Sequence, residues 1–204
     1  MVAVASAAPQ TAAPRAVAAW LETLSPDYSA DERASFQAAF DYAREHSADA
    51  AMADGEPALD RALGAATILA SLKLDADSVR GALLLGLPVA GRFDAEEVTP
   101  RFGADVATLV AGVARMGGIR AVADAGNKEE RALQAENLRK MLLAMVEDIR
   151  VVLIKLAERT QALRYLMTRG AEAGELRERA AREVLELFAP LANRLGVWQL
   201  KWEL

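Results

Sequence analysis

The chain has no cysteine and a single histidine, His46. Without thiols there is no disulfide, zinc finger, iron–sulfur cluster or cysteine nucleophile. One imidazole leaves only His46 for a Ser-His-Asp triad and rules out a site built from several histidines. Aromatic residues make up only 5% of the chain. No apolar run approaches the ~20 residues that cross a bilayer. The opening "MVAVASAAPQTAAPR" has neither a basic start nor a long apolar stretch, so it does not read as a signal peptide. A cytoplasmic location is expected, with no membrane partner.

The remainder is rich in alanine and leucine, and 53% of the 204 residues are hydrophobic. That composition favours helices over strands. The formal net charge is −5, which gives no support for binding DNA or RNA. It is unevenly spread: residues 1–102 hold 8 basic and 15 acidic residues, whereas 103–204 hold 16 and 14. This mild asymmetry reads as two kinds of helical face rather than a binding patch.

Residues 1–13 are rich in alanine and proline and are expected to form a mobile tail. Pro14 suits the first turn of a helix over "PRAVAAWLETL". Asp31 is a candidate cap for "ERASFQAAFDYAREH", with Phe36, Phe40 and Tyr42 near helical spacing. "PALDRALGAATILASL" presents Leu59, Leu63, Ala66 and Leu69–Ala70 on one apolar face. "LDADSVRGALLLGL" reads as a helix with Asp75 or Asp77 near its start. "DAEEVTPRFG" and "GADVATLVAGVARM" follow, the latter ending at Gly117-Gly118. "GIRAVADAGNKEE" reads as a flexible connection and "EERALQAENLRKMLLAMVE" as a long helix. "DIRVVLIKLAERTQALRYLM" is apolar nearly all round in its first half and belongs at the centre. "EAGELRERAAREVLELFAPLANRLG" should bend or break at Pro190. The expected fold is an all-α bundle of about eight to ten helices.

Two stretches carry a family resemblance. "ENLRKMLLAMVEDIRVVLIKLAER" and "FAPLANRLGVWQLKWEL" are similar to signatures of the RelA/SpoT family of alarmone enzymes. "FGADVATLVAGVARM" and "GEPALDRALGAATILASLKLD" follow the same pattern in order, so the resemblance covers about Ala38 to Leu204. It implies an HD-type helical domain over 14–195, with 196–204 starting the connection to a synthetase domain that is absent here. In that family the HD-type domain removes the 3′-pyrophosphate of (p)ppGpp with a manganese ion. The synthetase transfers pyrophosphate from ATP to GTP or GDP. The opening "MVAV" also resembles the start of the RelA branch, the GTP pyrophosphokinases.

The resemblance also places the family's chemistry on residues that cannot perform it. The metal-binding histidine four residues after "GEP" falls on Arg61. The His-Asp pair falls on Leu85 and Gly86 of "GALLLGLPVA", and the catalytic Glu-Asp pair on Val89 and Ala90. The last metal-binding aspartate falls on Glu158, and a nearby His-Asn on Gln161 and Ala162. A basic pair that contacts nucleotide falls on Met52 and Ala53. The physics of the side chains points the same way. A divalent ion needs several converging oxygen or nitrogen ligands. Leu85, Gly86, Val89 and Ala90 supply none, and Arg61 carries a permanent positive charge. The site is therefore expected to be degenerate, with no metal, no cofactor and no hydrolysis, and "GALLLGLPVA" refilled as core.

Each singled-out residue has a plainer reading. Arg61 is a surface or capping arginine, or its guanidinium takes the vacated metal position and pairs with Glu158. Lys155, Glu158 and Arg159 form a structural ion-pair cluster or keep a remnant nucleotide contact. Asn137, Arg139 and Lys140 form an exposed face or contact the missing synthetase. His46 reads as a helix-end residue. Trp198 and Trp202 stand at i, i+4 and should pack on one side. Three functions follow: a dead hydrolase domain that scaffolds and regulates a synthetase in cis; a weakened metal-dependent hydrolase; or a module holding a nucleotide, a regulator or a second copy of itself.

Overall fold

A computed structural model describes residues 14–117, 148–170 and 173–194. The described residues are helical, in the order α1 (Pro14–Thr23), α2 (Ala30–Ser47), α3 (Ala58–Ser71), α4 (Ala76–Leu83), α5 (Gly86–Val89), α6 (Ala95–Phe102), α7 (Ala104–Gly117), α8 (Ile149–Thr168) and α9 (Gly174–Glu183). A π-helical turn over Val184–Phe188 then leads into α10 (Ala189–Arg194). The all-α architecture is as expected. Among the described residues the only strand-like pairing is one bridge between Ala51 and Pro57, and no helix is long and apolar enough to cross a membrane.

The helix starts follow local chemistry. Asp31 does not cap α2. Ser29 does, its hydroxyl accepting from the Glu32 amide while the Glu32 carboxylate accepts from the Ser29 amide. This reciprocal box satisfies two amides that the first turn leaves free and contributes about 1 kcal/mol. Asp75 caps α4 without such a box, its carboxylate accepting from the amide and the hydroxyl of Ser78.

α8 lies against α3, α4 and α7. Its buried residues include Val151, Val152, Ile154, Leu156, Ala157, Ala162 and Leu166, so it is central, as its apolar first half suggests. α3 is buried almost all round, Arg61 included, rather than along one face. It runs close to α8 because Gly64 has no side chain: a Cβ there would stand 2.3 Å from the Gln161 Cδ. Phe36 and Phe40 of α2 are fully buried, each contributing roughly 2–3 kcal/mol by area.

Two boundaries differ from the sequence reading. The helix expected to run through "GALLLGL" stops at Leu83, and Gly86–Val89 forms a separate short helix. The break expected at Pro190 lies before it, as the π-turn. Proline has no amide to donate back along the helix, and the wider turn ahead of it absorbs that missing bond. The expected tail over 1–13, the connection and helix over 118–147, and Trp198 and Trp202 lie outside the described residues.

Candidate functional site

The site begins in the turn before α3. The Met52 amide donates to the Glu56 carbonyl at 2.8 Å, and the Gly55 amide to the Met52 carbonyl at 2.9 Å. Gly55 has φ +85°, a left-handed conformation that glycine adopts without the Cβ penalty. The turn directs Asp54 and Glu56 inward, and Glu56 is only 1% exposed.

Arg61, one turn into α3, is likewise only 1% exposed. This excludes the surface reading. Its guanidinium spreads across three carboxylates: Nε donates to Glu56, Nη1 to Glu158 Oε1 at 2.6 Å, and Nη2 to Asp54 Oδ2 at 2.5 Å. A cation near a helix N-terminus opposes the macrodipole, an effect far smaller than three charge-assisted bonds in a buried setting. On the other side of Glu158, its Oε2 lies 2.8 Å from Lys155 Nζ and 3.5 Å from Arg159 Nε. Both are ion pairs rather than aligned hydrogen bonds. Gln161 Nε2 donates to Glu56 Oε1 at 2.7 Å. Each of the three carboxylates thus faces at least one cation, the pairing that a buried charge requires.

The charges are shifted as this geometry dictates. Burial works against the charged form of Arg61, but Glu158, Glu56 and Asp54 outweigh it and hold the guanidinium above its ordinary value. Burial pushes Glu158 up, yet Lys155, Arg159 and Arg61 prevail and hold it well below the usual carboxylate range. Glu56 goes the other way, raised by burial against the pull of Arg61 and Gln161. Burial likewise lowers Lys155, despite Glu158.

The depressed Glu158 carries a pH signature. Its stabilisation is complete above its unfolded value of 4.5 and is lost as pH falls through the lower folded value. Glu56, with a raised folded value, takes up its proton earlier and partly offsets that loss. Glu158→Gln should cost about 3–5 kcal/mol near neutrality and less at each step below pH 4.5. Melting temperatures of both proteins between pH 7 and pH 3 check this; parallel curves would contradict it.

The remaining singled-out residues are placed as follows. Leu85 is 7% exposed and Gly86 is buried. A Cβ on Gly86 would stand 2.5 Å from Ser47 Oγ and 3.5 Å from the Ala58 Cβ. Val89 is 43% exposed and Ala90 half-buried. "GALLLGLPVA" is therefore core only as far as Leu87; once α5 turns, Val89 faces outward. Met52 is half-buried and Ala53 exposed. Ala162 is buried. His46, in the last turn of α2, stacks on Tyr42 with ring centres 4.1 Å apart. A groove of about 680 Å3 lies elsewhere, between α2 and α6, lined by Tyr42, Arg44, Arg101 and Phe102 among others. Asn137, Arg139 and Lys140 lie outside the described residues. Asp54 and Glu56 were not among the residues singled out from the sequence. The available signal was the need of a buried arginine for anions, beside the two carboxylates of "DGEP".

Residues 39–198 match the model of the HD domain family. The chain is 42% identical over 150 residues to a guanosine-3′,5′-bis(diphosphate) 3′-pyrophosphohydrolase of Vibrio cholerae, covering 74% of this chain and 20% of that protein. It is 35% identical over 187 residues to a GTP pyrophosphokinase of Photobacterium angustum, covering 91% and 24%. The chain belongs to the RelA/SpoT family, as its HD domain. It spans about a fifth of the length of the first of these relatives. The solved structure of a metazoan ortholog of SpoT, described as hydrolysing ppGpp, superposes with a TM-score of 0.53 at 25% identity, covering 86% of this chain and 93% of that one. In this RelA/SpoT domain, Arg61, Lys155, Glu158, Arg159 and Gln161 come together, joined by Asp54 and Glu56. The outward-facing Val89 is not in the ionic cluster.

Proposed function

We propose that this HD domain is a degenerate (p)ppGpp hydrolase, acting as scaffold and regulator of the synthetase of a cytoplasmic RelA-type GTP pyrophosphokinase in cis. The observation that carries the reading is the seat of Arg61. Where the family's resemblance puts a metal-binding histidine, a buried guanidinium bridges Asp54, Glu56 and Glu158. The residues at the remaining positions do not fit a manganese ion. Leu85 and Gly86 carry no donor atoms, and Glu158 is engaged by Arg61, Lys155 and Arg159. Arg61 also adds positive charge where a cation would have to sit. Hydrolysis needs a water activated by a metal or a general base. Val89 and Ala90, at the positions of the family's acid–base pair, offer neither. The second reading, a nucleotide held in the vacated site, has little room: Arg61, Glu56 and Glu158 are each 2% exposed or less.

Protein purified without chelator is expected to carry far less than one manganese per chain and to release no pyrophosphate from ppGpp above a buffer control. Elemental analysis and a ppGpp incubation measure both. Stoichiometric metal, or hydrolysis abolished by Glu158→Ala, would refute the proposal.

A further inference from the structure

The ionic cluster does not end at Glu158. Arg159, the next residue of α8, lies 3.6 Å from Glu183 Oε1 through Nη2, and its guanidinium carbon is 5.8 Å from the centre of the Phe188 ring. Glu183 immediately precedes the π-turn and Phe188 is its last residue. Arg159 therefore contacts both ends of a segment whose hydrogen-bond register departs from the α-helix. A π-turn carries an extra residue relative to an α-helical path, so its register is the soft point of the helix. α9, which leads into it, has no buried residue of its own, and the carboxylate of Glu183 at its end pairs with Arg159. The π-turn itself is also held by burial, of Val184 at its start and of Leu187 and Phe188 at its end.

We propose that Arg159 clamps the register of the Val184–Phe188 turn, and that the Arg61 cluster sets this clamp by fixing Glu158 beside it. The degenerate site thereby controls the path of the chain into α10. The contacts run without a break from Asp54 and Glu56 in the turn, through Arg61 on α3 and Glu158 on α8, to Arg159 and then to Glu183 and Phe188. The device is independent of whether the domain hydrolyses ppGpp, because each contact is made by the chain's own side chains.

Amide hydrogen exchange on the full chain, read by mass spectrometry, tests the proposal. Arg159→Gln sits on the rim of the cluster, where Arg159 is 24% exposed. It should raise exchange over residues 184–194 by about tenfold or more and leave residues 51–57 protected. Arg61→Lys keeps a positive charge but cannot span three carboxylates. It should raise exchange in both segments. In the double variant, exchange over 184–194 should fall short of the product of the two single effects, the sign of a shared path. The proposal is overturned if Arg159→Gln leaves 184–194 unchanged, if Arg61→Lys loosens 51–57 alone, or if the two effects simply multiply. Should Arg61→Lys not fold, Glu183→Gln replaces it: a clamp requires that it match Arg159→Gln over 184–194, and an unchanged 184–194 overturns the clamp.

Discussion

Arg61→Ala should destabilise the domain by about 3–5 kcal/mol, the scale for breaking a buried ion pair by removing one partner, and should raise its affinity for divalent cations above that of the wild type. The first effect comes from what is left behind. Asp54, Glu56 and Glu158 all turn toward the guanidinium, and with it gone they face one another. Lys155 and Arg159 still neutralise Glu158, so the excess negative charge falls on Asp54 and Glu56. Domains are stable by only ~5–15 kcal/mol, so a loss of this size is a large fraction of the whole. The second effect follows from the same geometry. Three carboxylates converging on an emptied volume are hard oxygen ligands of the kind that Mn²⁺ and Ca²⁺ accept. Binding to the folded state alone would return ~2.7 kcal/mol at a hundred times the dissociation constant. Thermal melts with and without Mn²⁺ read both effects together. The variant should melt well below wild type and recover in part with the ion, while the wild-type curve stays put. A shift of the wild-type protein equal to that of the variant would mean that Arg61 does not occupy a cation's place.

The fold was largely legible because its cues are local. Period-3.6 apolar residues marked the helices, and the nearly all-apolar first half of α8 marked the centre of the bundle. Boundaries were less legible where two local signals compete. Ser29 and Asp31 are both good caps, and only Ser29 has a glutamate three residues on to complete the box. "GALLLGL" is apolar throughout, so nothing in its pattern shows that α4 stops at Leu83. The site divided in the same way. Lys155, Glu158 and Arg159 could be grouped because they share one helix, and Arg61 could be set against Glu158 through the family pattern. Asp54 and Glu56 could not, because their inward turn depends on the backbone of residues 52–56 and on α3 being buried all round. An arginine on a helix with one apolar face reaches water; on a helix without an exposed face it must collect anions. Val89 departs from the expected core for the complementary reason. Its neighbours are apolar and buried, but the short helix α5 rotates it out to 43% exposure.

Rebuilding the family's metal set in one step, through Arg61→His, Leu85→His, Gly86→Asp and Glu158→Asp, should yield a protein that melts far below wild type and does not hydrolyse ppGpp. The loss has three sources. Arg61→His replaces a guanidinium that bonds Asp54, Glu56 and Glu158 at once with a ring of two nitrogens, leaving at least one carboxylate without its partner at ~1–3 kcal/mol each. Leu85→His puts an imidazole into the apolar core that Leu85 now joins. Gly86→Asp is a steric problem before it is a polar one. Its Cβ would fall 2.5 Å from Ser47 Oγ and 3.1 Å from Ser47 Cβ. Rotating the Ser47 hydroxyl away relieves the first contact and breaks its 2.6 Å bond to the Ala43 carbonyl, but the second contact remains. The helices must therefore part, at a typical overpacking cost of ~1–3 kcal/mol. Ser47→Gly added to the set should restore part of the melting temperature, which separates crowding from polarity. Mn²⁺ should return a further part, through the new ligands. Activity should still be missing, since Val89 points outward and, with Ala90, supplies no acid or base. Circular-dichroism melts of the quadruple and quintuple variants, with a ppGpp assay on each, decide the matter. Rapid hydrolysis by either would mean that the metal positions alone silenced the domain; hydrolysis appearing only after Val89→Glu and Ala90→Asp are added would locate the remaining loss at the acid–base pair.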